Sequence, residues 1–123
     1  MSYDKYKSAQ SSFEAPRQAE YRLFAEITRT LLTADENQRR GSDYFEAIDR
    51  NRKLWLALQM DLSSDDNALD EDLRAQLISL AIWVDRYSGE VLRGAGDLKP
   101  LISVNRDIME GLMAQSGDPE SES

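Results

Sequence analysis

From Asp61 to Asp72 the chain reads Asp-Leu-Ser-Ser-Asp-Asp-Asn-Ala-Leu-Asp-Glu-Asp, which places six carboxylates in twelve residues. Oxygen ligands at that density invite comparison with a calcium loop. Such a loop needs glycine at its sixth position for the sharp turn and a bidentate glutamate at its twelfth. Asp66 and Asp72 stand there instead. Acids that open a helix account for the cluster better, because carboxylates favour the positive end of the helix dipole. The chain contains no histidine and no cysteine, so it lacks the commonest general base and metal ligand, and disulfides and thiolate sites are excluded. Other carboxylate pairs fall on polar faces and loops, where nothing raises a pKa. No Gly-rich phosphate loop, nucleophile elbow or metal-ligand spacing appears. These residues predict neither an enzyme nor a metal or cofactor site. The remaining charged feature is basic: Arg39, Arg40, Arg50, Arg52 and Lys53. It reads either as an RNA patch or, more simply, as the solvated ends of a loop and a helix.

A chain of 123 residues with net charge -8 corresponds to one domain, which buries roughly two-thirds of its unfolded surface. The negative charge argues against direct nucleic-acid binding, which requires neutralised phosphates. It suits a basic or amphipathic partner. The longest apolar-rich run, Leu77 to Val84, falls well short of the roughly 20 residues of a membrane span. The start, Met-Ser-Tyr-Asp-Lys, has no signal-peptide layout. A soluble, cytoplasmic protein with no membrane partner is expected.

Helical periodicity then organises the chain into an all-α, single-domain bundle of four main helices. Residues 1–15, with Tyr3, Tyr6 and Phe13, form an N-terminal arm or a short helix. Pro16 suits a helical first turn, and Leu23, Phe24, Ile27, Leu31 and Ala34 continue as one stripe over residues 16–34. Asp43-Tyr-Phe-Glu46 resembles a capping box that opens a second helix ending near Leu62. A third helix, 70–92, carries Leu73, Leu77, Leu80, Val84, Tyr87 and Val91 on one face, Trp83 on its flank, and Ile78 with Ile82 behind. A helix apolar on two sides either occupies the centre of a bundle or lends its second face to a partner. The central position is expected, with this helix contacting every other. Gly94-Ala-Gly96 reads as a flexible joint. Asp97 can cap a fourth helix over 97–113, with Pro100 in its first turn. The bundle domain spans 16–113, and 114–123 is an acidic tail expected to be disordered.

Two asparagines interrupt the apolar stripes. Asn51 lies among Tyr44, Ile48, Trp55, Leu58 and Leu62, with Leu54 beside them; Asn105 lies among Leu101, Ile102, Ile108, Met109 and Leu112. Buried amides need partners, so both are expected to bond inside the core and set helix register. Trp55 and Trp83 are expected in the core. Leu56 and Met60 widen the second helix's stripe beyond the arc a bundle requires, as Ile78 and Ile82 do for the third. They are either further core or a groove for a partner's amphipathic helix, and are the candidate partner-binding residues.

Several segments carry a family resemblance. Asn51-Arg-Lys-Leu-Trp55, Asn67-Ala-Leu69 leading into Leu73-Arg-Ala75, Ser79-Leu-Ala-Ile-Trp-Val84, and Leu101-Ile-Ser-Val-Asn105 with Ile108-Met-Glu-Gly-Leu112 resemble the flagellar biosynthesis regulator FlaF family in order and spacing. The resemblance runs from about Arg17 to Leu112. One departure is Asp70, where the family pattern places proline after Asn-x-Leu; aspartate also starts a helix well. The resemblance implies a non-enzymatic cytoplasmic protein needed for flagellin production and export, working alongside the flagellin translational repressor FlbT. It also implies chaperone-like contact with flagellin, or alternatively action through FlbT or flagellin mRNA without gripping flagellin.

Overall fold

A computed structural model describes the backbone of residues 2–116 and the side chains of residues 20–111. Within these limits the chain is all α: α1 spans Ser2–Asn37, α2 Ser42–Leu62, α3 Glu71–Leu92 and α4 Lys99–Ser116. Helix α1 is one element of 36 residues, about 54 Å at 1.5 Å per residue. It does not begin at Pro16: that proline lies in its interior, where it leaves the carbonyl four residues earlier without its usual N–H. The side chains of Tyr3, Tyr6, Phe13 and Leu112 lie outside the described residues, as does the tail from residue 117.

Local chemistry sets each helix end. Asp43 does not cap α2. Gly41 is the N-cap, with no side-chain cap bond, and Asp43 contributes charge in the first turn. At α3 the Asp70 carboxylate accepts from the Asp72 N–H at 3.2 Å, and at α4 the Asp97 carboxylate accepts from the Lys99 N–H at 3.0 Å. The α3–α4 connection is a fixed turn rather than a flexible joint. Gly94, at φ 90°, donates its N–H to Val91 O, and Ala95 donates to Glu90 O. This bond pair and left-handed glycine form a Schellman cap. Tyr87 Oη donates to Asp97 O at 2.8 Å. It crosses so closely over Gly96 (φ 121°) that a Cβ there would stand 2.8 Å from the hydroxyl oxygen.

The short links make neighbouring helices antiparallel. Helix α3 lies beside α2, α2 beside α1, and α1 beside α4. Helix α3 is therefore at an edge, not at the centre, and α1 and α2 each have two close neighbours. Apolar breadth on α3 did not mean contact on every side. All four helices still feed one core, including Phe24, Ile27 and Leu31 of α1, Ile48 and Trp55 of α2, Val84 and Val91 of α3, and Leu101 and Ile102 of α4. Trp55 meets Phe24 edge-on, centroids 5.7 Å apart, a geometry favoured by the ring quadrupoles. Leu23, expected on α1's inward stripe, is exposed.

Candidate functional site

The α2–α3 seam carries an apolar surface that the described residues do not cover. Leu56 is 56% exposed, Met60 68% and Ile82 43%; Ile78 is half-buried. Their mutual placement follows from one ion pair. Arg52 Nε lies 2.7 Å from Asp85 Oδ1 across the seam. Steps of four residues from Arg52 reach Leu56 and Met60, and steps of three and four back from Asp85 reach Ile82 and Ile78. These spacings put all four on the side of the α2–α3 pair that carries this ion pair. The four candidates share one ridge along one edge of the pair. Phe45, 39% exposed, lies seven residues before Arg52 on the same side of α2. Its seven-residue spacing from Arg52 is the sequence signal that places it there.

Charge closes the ridge at both ends. Beyond Met60 and Ile78 lies the loop with Asp61, Asp65, Asp66, Asp70, Glu71 and Asp72. None of these carboxylates is in an ion pair among the described residues. The loop has a definite shape: Asn67 Nδ2 donates to Asp61 O and Oδ2, and Asn67 Oδ1 accepts from the Leu69 N–H. Arg74 is the single cation between Asp61 and Asp85. Beyond Leu56 and Ile82 lie Arg52, Lys53 and Arg86. Lys53 is paired with Asp49 at 2.9 Å, and that hydrogen bond and charge raise its pKa above the usual lysine value.

The buried asparagines belong to a different feature. Asn51 and Asn105 are both 0% exposed. Trp55 Nε1 donates to Asn105 Oδ1 at 2.8 Å. An indole N–H can only donate, so Asn105 must present its oxygen there. Its Nδ2 then donates to Asn51 Oδ1 at 2.7 Å and to Thr28 Oγ1 at 3.1 Å. One amide joins α1, α2 and α4. Thr28 was not expected in this network, although it stands four residues after Phe24 and three before Leu31, which places it on the same stripe. Two buried polar atoms among the described residues have no hydrogen-bond partner, Asn51 Nδ2 and Ser88 Oγ of α3.

The remaining motif positions pack as core or at its margin. Leu54 is buried, Leu80 is half-buried, and Trp83 is half-buried and stacked on Tyr87 with centroids 5.0 Å apart. Burial first, and then the charge of Asp97, raise the Tyr87 pKa above its ordinary value. The basic concentration does not form one patch. Arg40 donates to Val91 O and lies over the Tyr44 ring, Arg50 meets Glu26, and Arg52 and Lys53 meet Asp85 and Asp49. Among the described residues no group of three or more acids is arranged to hold a metal ion. No helix there is long and apolar enough to cross a membrane.

Comparison with known proteins adds one match. The model of a family described as flagellar protein FlaF matches residues 2–112. No curated protein and no solved structure matches the chain.

Proposed function

The chain belongs to the FlaF family of flagellar proteins, and on that premise we propose that it is a non-enzymatic, cytoplasmic module that covers an amphipathic terminal helix of flagellin before export. The supporting observation is the ridge between α2 and α3, where Leu56, Met60 and Ile82 are exposed beside the half-buried Ile78. A soluble chain gains nothing by wetting three large apolar side chains beside a half-buried fourth, and contiguous apolar surface of this kind commonly marks a binding site. An apolar groove between two helices takes a third helix by its i, i+3, i+4 and i+7 residues. Flagellin's terminal helices must not pair with one another early, and a helix laid on this ridge is withheld from that pairing. Action alongside FlbT fits the same role, since a protein that holds flagellin can report its supply.

The alternative, a regulator that reads flagellin mRNA, requires a continuous cationic surface. The division of Arg40, Arg50, Arg52 and Lys53 among separate partners disfavours it. The test is a pull-down with purified flagellin comparing the wild type with Leu56→Asp and Met60→Asp. Both residues are exposed enough for the variants to keep the fold, as circular dichroism would verify. Loss of flagellin from both folded variants is expected; unchanged capture would overturn the proposal.

A further inference from the structure

The ridge is not symmetric end to end, and this carries an inference about how a partner lies on it. At one end stand six carboxylates of residues 61–72, unpaired with any cation among the described residues and opposed only by Arg74. The Asp61–Asn67 contacts hold that loop in place. At the other end Arg52 and Lys53 are paired with Asp85 and Asp49, and Arg86 stands one helical turn from Glu90, so opposite charges balance there. The four apolar residues lie between an acidic end and a balanced one. A helix placed there brings its own dipole, positive at its N-terminus and negative at its C-terminus.

We propose that the α2–α3 ridge fixes the direction of its partner: the occupant is an amphipathic helix whose N-terminal turn, carrying lysine or arginine, lies against the 61–72 loop, with its C-terminal turn at the charge-balanced end beside Arg52, Lys53 and Arg86. Such a helix runs parallel to α3. The apolar contacts hold it, and the charges choose between two orientations that apolar contact alone treats nearly alike. This rests on the reading of the ridge as a helix-docking surface and adds the charge pattern its ligand must have.

The experiment uses the full chain and two hydrocarbon-stapled peptides of about 18 residues, five helical turns. They share one leucine stripe and are matched for helicity by circular dichroism. One carries lysines in its first turn and glutamates in its last; the other has these exchanged. Fluorescence anisotropy is expected to show the lysine-first peptide binding at least about fivefold more tightly at low salt. The difference should shrink toward unity near 0.5 M salt, where the Debye length is a few ångströms. It should shrink likewise in Asp65→Asn/Asp66→Asn, while Leu56→Asp abolishes binding of both peptides. Equal binding of the two peptides, or tighter binding of the glutamate-first one, with both lost in Leu56→Asp, would overturn the assigned direction and leave the docking surface standing. Absence of binding, or binding indifferent to Leu56→Asp, would overturn the docking surface and the direction with it.

Discussion

The two sides of α2 have been finished differently. Toward α1 and α4 it presents Asn51 and Trp55, and the Asn105 amide joins these to Thr28 with bonds of 2.7, 2.8 and 3.1 Å in a site closed to water. Toward α3 it presents a surface ion pair at 2.7 Å and then, turn by turn, Leu56 and Met60 left in solvent. Buried hydrogen bonds are directional, so the first side admits one register of three helices. Apolar contact has no such directionality, and the second side leaves its outer edge available. The same helix thus serves as a specified core element on one face and as part of an exposed surface on the other. Internal polar networks secure the fold here, and the exposed ridge lies where such networks stop.

Breaking the specified side should cost most. Asn105→Ala strands the Trp55 N–H, Asn51 Oδ1 and Thr28 Oγ1 together, and urea unfolding should show a loss of about 3–4 kcal/mol. A loss below about 1 kcal/mol would mean that the network does not join the three helices. Asn51→Ala should cost less, about 1–2 kcal/mol, because it removes one accepted bond together with an Nδ2 that has no partner.

The α3 end offers smaller effects. Tyr87→Phe removes the bond to Asp97 O and should cost about 0.5–1.5 kcal/mol in the same assay. Its pH dependence has a fixed sign. Burial and Asp97 raise the folded pKa above the ordinary 10.0, so the contribution is complete below about that pH and disappears as pH rises through the folded value. The wild type should therefore lose stability in strong alkali more steeply than Tyr87→Phe does. Smallest of all, Ser88→Ala removes a buried hydroxyl without a partner and should leave stability unchanged or raise it by about 0.5 kcal/mol. A clear loss would show that α3 shares in the polar network and would narrow the contrast between the two sides.

Much of this was legible in the residues. Stripes at three- and four-residue spacing located α2, α3 and α4, and Asn51 and Asn105 stood out because nothing but an internal partner justifies an amide in an apolar stripe. Thr28 completes that network and was not singled out, although it stands four residues after Phe24 and three before Leu31. The neighbours of α3 were not legible, because an apolar arc records how much of a helix is covered without recording by which helix. Pro16 misled because its fixed φ suits a first turn and a helix interior alike, and Asp43 because an acid in the first turn resembles an N-cap by type. The Gly94–Gly96 segment looked loose because glycine permits both flexibility and the left-handed cap it adopts here. Leu56, Met60, Ile78 and Ile82 were legible as a surplus; their alignment along one seam needed the Arg52–Asp85 contact.

The most direct test of the central claim is methyl NMR of the protein titrated with purified flagellin. The account predicts shifts and line broadening concentrated on Leu56, Met60, Ile78 and Ile82. The methyls around the buried network, those of Ile27, Leu31, Leu101 and Ile102, should change little. Perturbation centred on α1 and α4 with the four ridge methyls unmoved, or no perturbation at saturating flagellin, would contradict it.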